Sequence, residues 1–200
     1  MSVKQQSPIV AFTSETVSVD GKVGVVFEQS SFNQFYNLRI DPGNSVVVSA
    51  VNSALGISLP LQPSTLVNSE GLTVYWLGPD EWLLRLQSTT SGSIVNSLKL
   101  AITDQIASLV DNSSGMTVIK VSGEFADYVL RQGMTFDIHP REFKLGQCAQ
   151  TVMGKTNVLI SCDGESGQRA YSLVIRRSFA DYIMLFLLDA AATCGYELKT

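Results

Sequence analysis

The sequence predicts an α+β chain of largely antiparallel sheet with helices packed on it. Three observations carry this. Short runs rich in β-branched and aromatic residues recur along the chain, broken by turn signals such as Asp41-Pro42-Gly43 and Gly78-Pro79-Asp80. Apolar residues recur at helical spacing in a few separate segments. These helical segments do not alternate strictly with single strands, as a parallel α/β sheet would require.

The elements follow in order. Residues 1–22 are polar and unpatterned and read as a loose arm, leaving 23–200 as the folded domain. Gly24–Phe27 and Phe35–Ile40 read as strands. Asn44 then sits where an N-cap belongs. Val47, Val51, Ala54 and Leu55 form an apolar stripe, and Gly56 is placed as a C′ glycine, so 45–55 reads as a helix. Residues 57–71 contain Pro60, Pro63 and Gly71 and read as a loop. Leu72–Leu77 and Trp82–Leu86 make a hairpin with one tryptophan on each arm. Ser91–Ile102 carries Ile94, Leu98 and Ile102 at i, i+4 and i+8 and reads as a second helix.

Ile106–Val110 and Met116–Val121 read as strands across an Asn-Ser-Ser-Gly turn. Glu124–Arg131 reads as a helix with Phe125, Val129 and Leu130 on one face, closed by Gly133. The segment up to Pro140 is extended, because a residue before proline avoids the α region. Cys148–Met153, Val158–Ser161 and Ala170–Ile175 are strands. The loop from Asp163 to Gly167 is an acidic, solvated tip. The last helix starts at Ser178 as N-cap and ends by Gly195. The alternation of helix and hairpin hints at two related halves.

Composition narrows the function classes. The chain has 200 residues, a net charge of −4 and only 16% charged residues, against about 25% in average proteins. A nucleic-acid binder shows a basic stripe, and none is present. The longest apolar run, Ile183–Leu188, is far short of the roughly 20 residues of a membrane span. Without a secretory h-region near Met1, the expectation is a cytoplasmic chain. Cys148, Cys162 and Cys194 lack C-x-x-C spacing, and His139 is the sole histidine. A zinc site built from this chain is therefore not expected.

The sequence also lacks a phosphate-binding glycine loop and a G-x-S-x-G elbow. One constellation has catalytic residue types: Asp137, His139 and Cys148. A Cys–His pair with an orienting carboxylate can make a nucleophile. The same residues equally suit a structural histidine and a buried thiol, and that reading is preferred. Asp80 and Glu81 are adjacent on a turn, which suits no shared acid–base site.

Two apolar features point instead to a covered surface. Trp76 and Trp82 flank one turn, and tryptophan is enriched at interfaces. The final helix carries Phe179, Tyr182, Ile183, Met184, Leu185, Phe186, Leu187 and Leu188 on more than one face, wider than the stripe a surface helix needs. Trp76, Trp82, Tyr182, Phe186 and Leu187 are the candidate interface residues, and no catalytic, cofactor or metal ligand is assigned.

Four segments in register carry a resemblance. They are Trp76-Leu77-Gly78-Pro79-Asp80-Glu81-Trp82-Leu83-Leu84, the run Leu130–Arg141, Cys148-Ala149-Gln150-Thr151, and Arg177–Tyr182 with Leu188-Asp189-Ala190-Ala191. Together they resemble the gamma subunits of heterotetrameric sarcosine oxidases, from about residue 30 to the C-terminus. The resemblance implies a complex of alpha, beta, gamma and delta subunits. That complex oxidises sarcosine to glycine with release of hydrogen peroxide, passing the methyl carbon to tetrahydrofolate. It implies FAD, FMN and NAD in alpha and beta, zinc in delta, and no cofactor in gamma. It further implies a fold similar to the folate-binding part of aminomethyltransferases, and a structural role packed chiefly against alpha.

Related subunits serve N-methylglutamate dehydrogenases, and a stand-alone folate-binding protein is a further alternative. Asp111 stands where folate-acting relatives of this fold often carry a catalytic Asp. Its surroundings match loosely, so it is read as a turn-forming residue.

Overall fold

The computed structural model describes residues 6–30, 32–87, 91–164 and 169–200. In chain order the strands and helices are β1 (Glu15–Val17), β2 (Val25–Gln29), β3 (Asn33–Ile40), α1 (Ser45–Leu55), β4 (Leu66–Ser69), β5 (Leu72–Gly78), β6 (Glu81–Gln87) and α2 (Ser91–Ala101). They continue as β7 (Ala107–Asp111), β8 (Met116–Ser122), α3 (Ala126–Arg131), β9 (Gln147–Met153), β10 (Thr156–Cys162), β11 (Ala170–Arg176), α4 (Ala180–Ala191) and β12 (Tyr196–Lys199). The α+β class with largely antiparallel sheet is as the sequence predicts.

The chain divides into two compact units. One comprises Ser31–Ser114 with Gly146–Ala149. The other comprises the residues up to Ser30, Gly115–Leu145 and Gln150–Thr200. The middle unit is built on a five-stranded antiparallel sheet in the order β4-β5-β6-β3-β7. Alternation along β5 and β6 sends Leu72, Val74, Trp82, Leu84 and Leu86 to one face. There they meet Val47, Val51 and Leu55 of α1 and Val95 and Leu98 of α2 in one buried cluster. Helix α1 is capped as its sequence requires. Asn44 Oδ1 accepts from the amides of Val46 and Val47 at 3.2 and 3.3 Å. Gly56, at φ 71, closes the helix in the left-handed region that a side chain resists.

The other unit holds a seven-stranded sheet, β1-β12-β2-β8-β11-β10-β9. β12 runs parallel to β2, while β1–β12, β2–β8, β8–β11 and β10–β11 are antiparallel. α3 and α4 pack against each other here, and the Gln132 amide donates to Ala190 O at 3.1 Å.

Four expectations change. Over its described part, the span read as a loose arm is tied down. Ile9 is buried, β1 pairs with β12, and Ser14 Oγ lies 3.0 Å from Thr200 Oγ1. The strands at 107–111 and 116–122 form no hairpin: β7 pairs with β3 and β8 with β2 and β11, in different units. Ser178 is not an N-cap. It lies in a 3-10 turn, Arg177–Phe179, and α4 starts without a side-chain cap. β4 forms inside the segment read as a loop. The loop read at Asp163–Gly167 falls partly outside the described residues, since 165–168 are not among them.

Candidate functional site

The residues with catalytic potential are engaged as structure. Asp137 Oδ1 accepts from the His139 amide at 2.9 Å, not from its ring, and His139 Nδ1 accepts from the Arg141 amide at 3.2 Å. The two residues therefore shape one local turn. Cys148 belongs to the middle unit, and the Asp137–His139 turn belongs to the other. Cys148 is buried, with its sulfur 3.3 Å from Thr65 O and 3.7 Å from Trp76 O. Burial pushes this thiol up to about 12, although the Trp76 carbonyl contact works the other way. A thiol held protonated is the opposite of an activated nucleophile.

The carboxylates tell the same story. Asp111 Oδ1 accepts from both the amide and the hydroxyl of Ser113, and Ser113 Oγ accepts in turn from the Phe35 amide at 3.0 Å. That is a turn-forming arrangement, as read from the sequence. Asp80 and Glu81 both face Arg39, at 3.3 and 3.5 Å, and Glu81 also accepts from Asn37 at 2.7 Å. A shallow, open depression of about 610 Å³ runs along α1 past Ser45, Ser49, Asn52 and Ser53, and no charged residue lines it. Among the described residues, no group of three or more His, Cys, Asp or Glu could hold a metal.

The candidate interface residues separate into two kinds. Trp82 and Leu187 are fully enclosed by the chain itself. Trp82 points inward from β6 and its Nε1 donates to Pro60 O at 2.8 Å, which anchors the proline-rich loop. Leu187 lies on the inward stripe of α4 with Ile183, Met184, Ala190 and Ala191. Neither leaves side-chain surface for a partner, so both are corrected to core residues. Their apolar character came from the chain's own packing.

Trp76, Tyr182 and Phe186 are half-buried. Trp76 stands directly opposite Trp82 across the hairpin. Tyr182 accepts from the Lys155 amide at 3.2 Å through its hydroxyl oxygen. The Phe186 ring rests on Gly133, where only a residue without Cβ leaves room. Gly133 in turn accepts through its carbonyl from the Gly154 amide at 2.9 Å. The outer row of α4 holds Asp181, Leu185 and Asp189, with Leu185 61% exposed.

One polar cluster escaped the sequence reading. Tyr171, buried on β11, donates its hydroxyl to Asp127 Oδ1 of α3. Arg169 donates to the Tyr171 hydroxyl oxygen from Nε at 3.0 Å and Nη2 at 2.6 Å, and Nη2 also reaches Ile138 O at 3.1 Å. The Tyr171 ring stacks on Phe143 at 6.4 Å between centroids, and Phe143 meets Phe136 edge-on at 5.3 Å. Burial, then the Asp127 carboxylate, pushes the phenol well above its usual value. The cluster ties α3, β11 and the segment before Pro140 together. Its members lie up to 44 residues apart in sequence, so spacing gives no signal. The only hint is a tyrosine inside the buried strand Ala170–Arg176, whose hydroxyl must find a partner.

Comparison with known proteins places this geometry. Residues 39–193 match the model of the sarcosine oxidase, gamma subunit family. The sarcosine oxidase subunit gamma of Corynebacterium sp. (strain U-96) is 29% identical over 90% of this chain and 86% of its own length. That of an Arthrobacter sp. is 30% identical over 83% and 79%. Among solved structures, a chain of the heterotetrameric sarcosine oxidase from Corynebacterium sp. U-96, in complex with pyrrole 2-carboxylate, superposes with a TM-score of 0.79 at 28% identity. It covers 88% of this chain and 89% of that one. The glycine cleavage aminomethyltransferase T of Bartonella henselae shares the fold, with a TM-score of 0.64 at 13% identity. The match covers 89% of this chain and 48% of that protein.

Proposed function

Because this chain belongs to the sarcosine oxidase gamma subunit family, we propose that it serves as the gamma subunit of a heterotetrameric sarcosine oxidase. In that role it is a structural subunit with no active site of its own. The observation that carries the reading is the end-to-end likeness to a chain of the solved heterotetramer, 88% of one and 89% of the other. The engagement of Asp111, Asp137, His139 and Cys148 in turns and core packing supports it.

On this reading the partners are alpha, beta and delta subunits, chiefly alpha, in the cytoplasm. FAD, FMN, NAD and zinc belong to those partners. The complex demethylates sarcosine oxidatively, and the one-carbon unit leaves on tetrahydrofolate. The surface toward alpha includes the half-buried Trp76, Tyr182 and Phe186 and adds Leu185, whose exposed apolar side chain sits between two aspartates on α4. A permanent interface of this kind buries on the order of 2,000 Å² or more.

Native mass spectrometry of the material recovered through a tag on this chain tests the reading. A flavin-containing assembly of four different subunits is expected. A lone species of 21.7 kDa overturns it.

A further inference from the structure

The geometry points to strand β7 as a docking edge, completed in the assembly by an extended segment of another subunit. This rests on the chain being part of a hetero-oligomer. β7 ends the five-stranded sheet, with β3 on one side and no strand among the described residues on the other.

The parity of the edge is fixed by two bonds. The Asn112 amide donates to Phe35 O at 2.8 Å, and the Ile40 amide donates to Asp80 O at 3.2 Å on the β6 side. Directly opposed residues of an antiparallel ladder alternate between bonded and non-bonded pairs. Val110 and Ser108 therefore exchange bonds with Asn37 and Arg39 in the observed register. The backbone groups of Ala107, Leu109 and Asp111 point outward.

The other three sheet edges are blunted in ways that sheet proteins commonly use. β1 is three residues long and carries Glu15. β4 is four residues long, and Gly146 O takes the Leu66 amide. β9 is bridged at Met153 by Met134 and flanked by the Gly154 to Gly133 bond. β7 carries no Lys, Arg or Pro, and its one carboxylate, Asp111, turns back onto Ser113. Beside this edge Ile106 is 99% exposed and Val110 52%, with Leu100 of α2 at 77%.

An extended backbone is what matches outward donors and acceptors at this spacing, and apolar side chains on it would cover Ile106 and Val110. A second copy of this chain is not the occupant. Five residues span roughly 17 Å at a strand spacing of about 4.8 Å, a strip on the order of 100 Å² and well under the roughly 800 Å² per side of a stable interface. A segment of a subunit already docked elsewhere acts at raised effective concentration and needs no such area.

The test is hydrogen exchange on the complex purified through a tag on this chain, read at single amides by electron-transfer fragmentation. Ala107, Leu109 and Asp111 are expected to exchange at least tenfold more slowly than in the free chain, and as slowly as Ser108 and Val110. An intact complex in which the three outward amides stay fast while the inward ones are slow overturns the proposal and leaves the subunit reading standing. Recovery of the chain alone overturns both. Protection of the same amides in the free chain, growing with its concentration, assigns the edge to a second copy and also overturns the proposal. Val110→Lys, an exposed change, is expected to restore fast exchange at Leu109 and Asp111 within the complex; unchanged protection counts against the edge.

Discussion

The Phe186 ring occupies the place of a side chain that Gly133 does not have. Its Cε1 and Cζ lie 2.7 and 2.8 Å from where a Gly133 Cβ would stand, and Met153 Cγ lies 3.2 Å away. α4 is thereby seated on the junction between the end of α3 and the end of β9.

Gly133→Ala is expected to destabilise the chain by about 1–3 kcal/mol, as overpacking of a filled site does. Urea denaturation measures it. Phe186→Leu in the Gly133→Ala background should recover part of the loss. Equal loss in the double variant would show that backbone strain, not the ring, is the cause.

Leu187 and Leu185 separate folding from assembly. Leu187→Asp puts an unpaired charge into a dry site, so it should abolish or strongly lower soluble, cooperatively melting chain. Leu185→Asp, on the outer row of α4, should leave the melting midpoint within a degree or two and weaken partner recovery. Normal recovery of partners with Leu185→Asp would remove α4 from the interface.

The buried Tyr171 hydroxyl is expected to matter for stability. Tyr171→Phe leaves Asp127 and Arg169 without their shared bridge and should cost about 1–3 kcal/mol. A change under ~0.5 kcal/mol in urea midpoints would mean that water replaces the hydroxyl.

Cys148 sets an alkaline limit. Its thiol stands at about 12 in the folded chain against 9.0 unfolded. The unfolded chain thus loses this proton first as pH rises. The contribution to stability is whole below pH 9.0 and falls away as pH climbs toward about 12. Urea midpoints from pH 8 to 11 should show a fall that Cys148→Ala flattens. A parallel fall in the variant would assign it to other groups, such as Tyr171.

Cysteine reactivity gives a faster check. Cys148 and Cys162 are buried and Cys194 is half-buried, so a thiol reagent should modify Cys194 first in the native chain. All three should react after unfolding. Early modification of Cys148 would contradict its enclosure.

What was legible in the sequence follows the reach of each signal. Helix α1 could be read whole, because Asn44, the Val47–Val51–Leu55 stripe and Gly56 are local. The hairpin of β5 and β6 was legible for the same reason. β1, β4 and β12 were not, because strands of three or four residues are defined by their partners. The pairing of β7 and β8 with different sheets was hidden too: a turn motif specifies a bend, not which sheet each arm joins. Trp82 and Leu187 misled for a physical reason. Apolar size says that a side chain leaves water, and only the fold says whether its own chain or another covers it. The cluster of Asp127, Arg169 and Tyr171 was invisible, since nothing but folding brings it together.

The pairing of β1 with β12, and of β12 with β2, has a consequence for how the molecule is made. At ribosomal rates of 5–20 residues per second, β2 waits on the order of ten seconds for β12 to be synthesised. The strands and helices of the middle unit lie between 31 and 114 and are available much earlier, apart from the short segment Gly146–Ala149. The middle unit can therefore be nearly completed before the sheet that β12 closes. A nascent chain stalled before Tyr196 carries a sheet with an open parallel edge beside β2, a natural target for chaperones during translation.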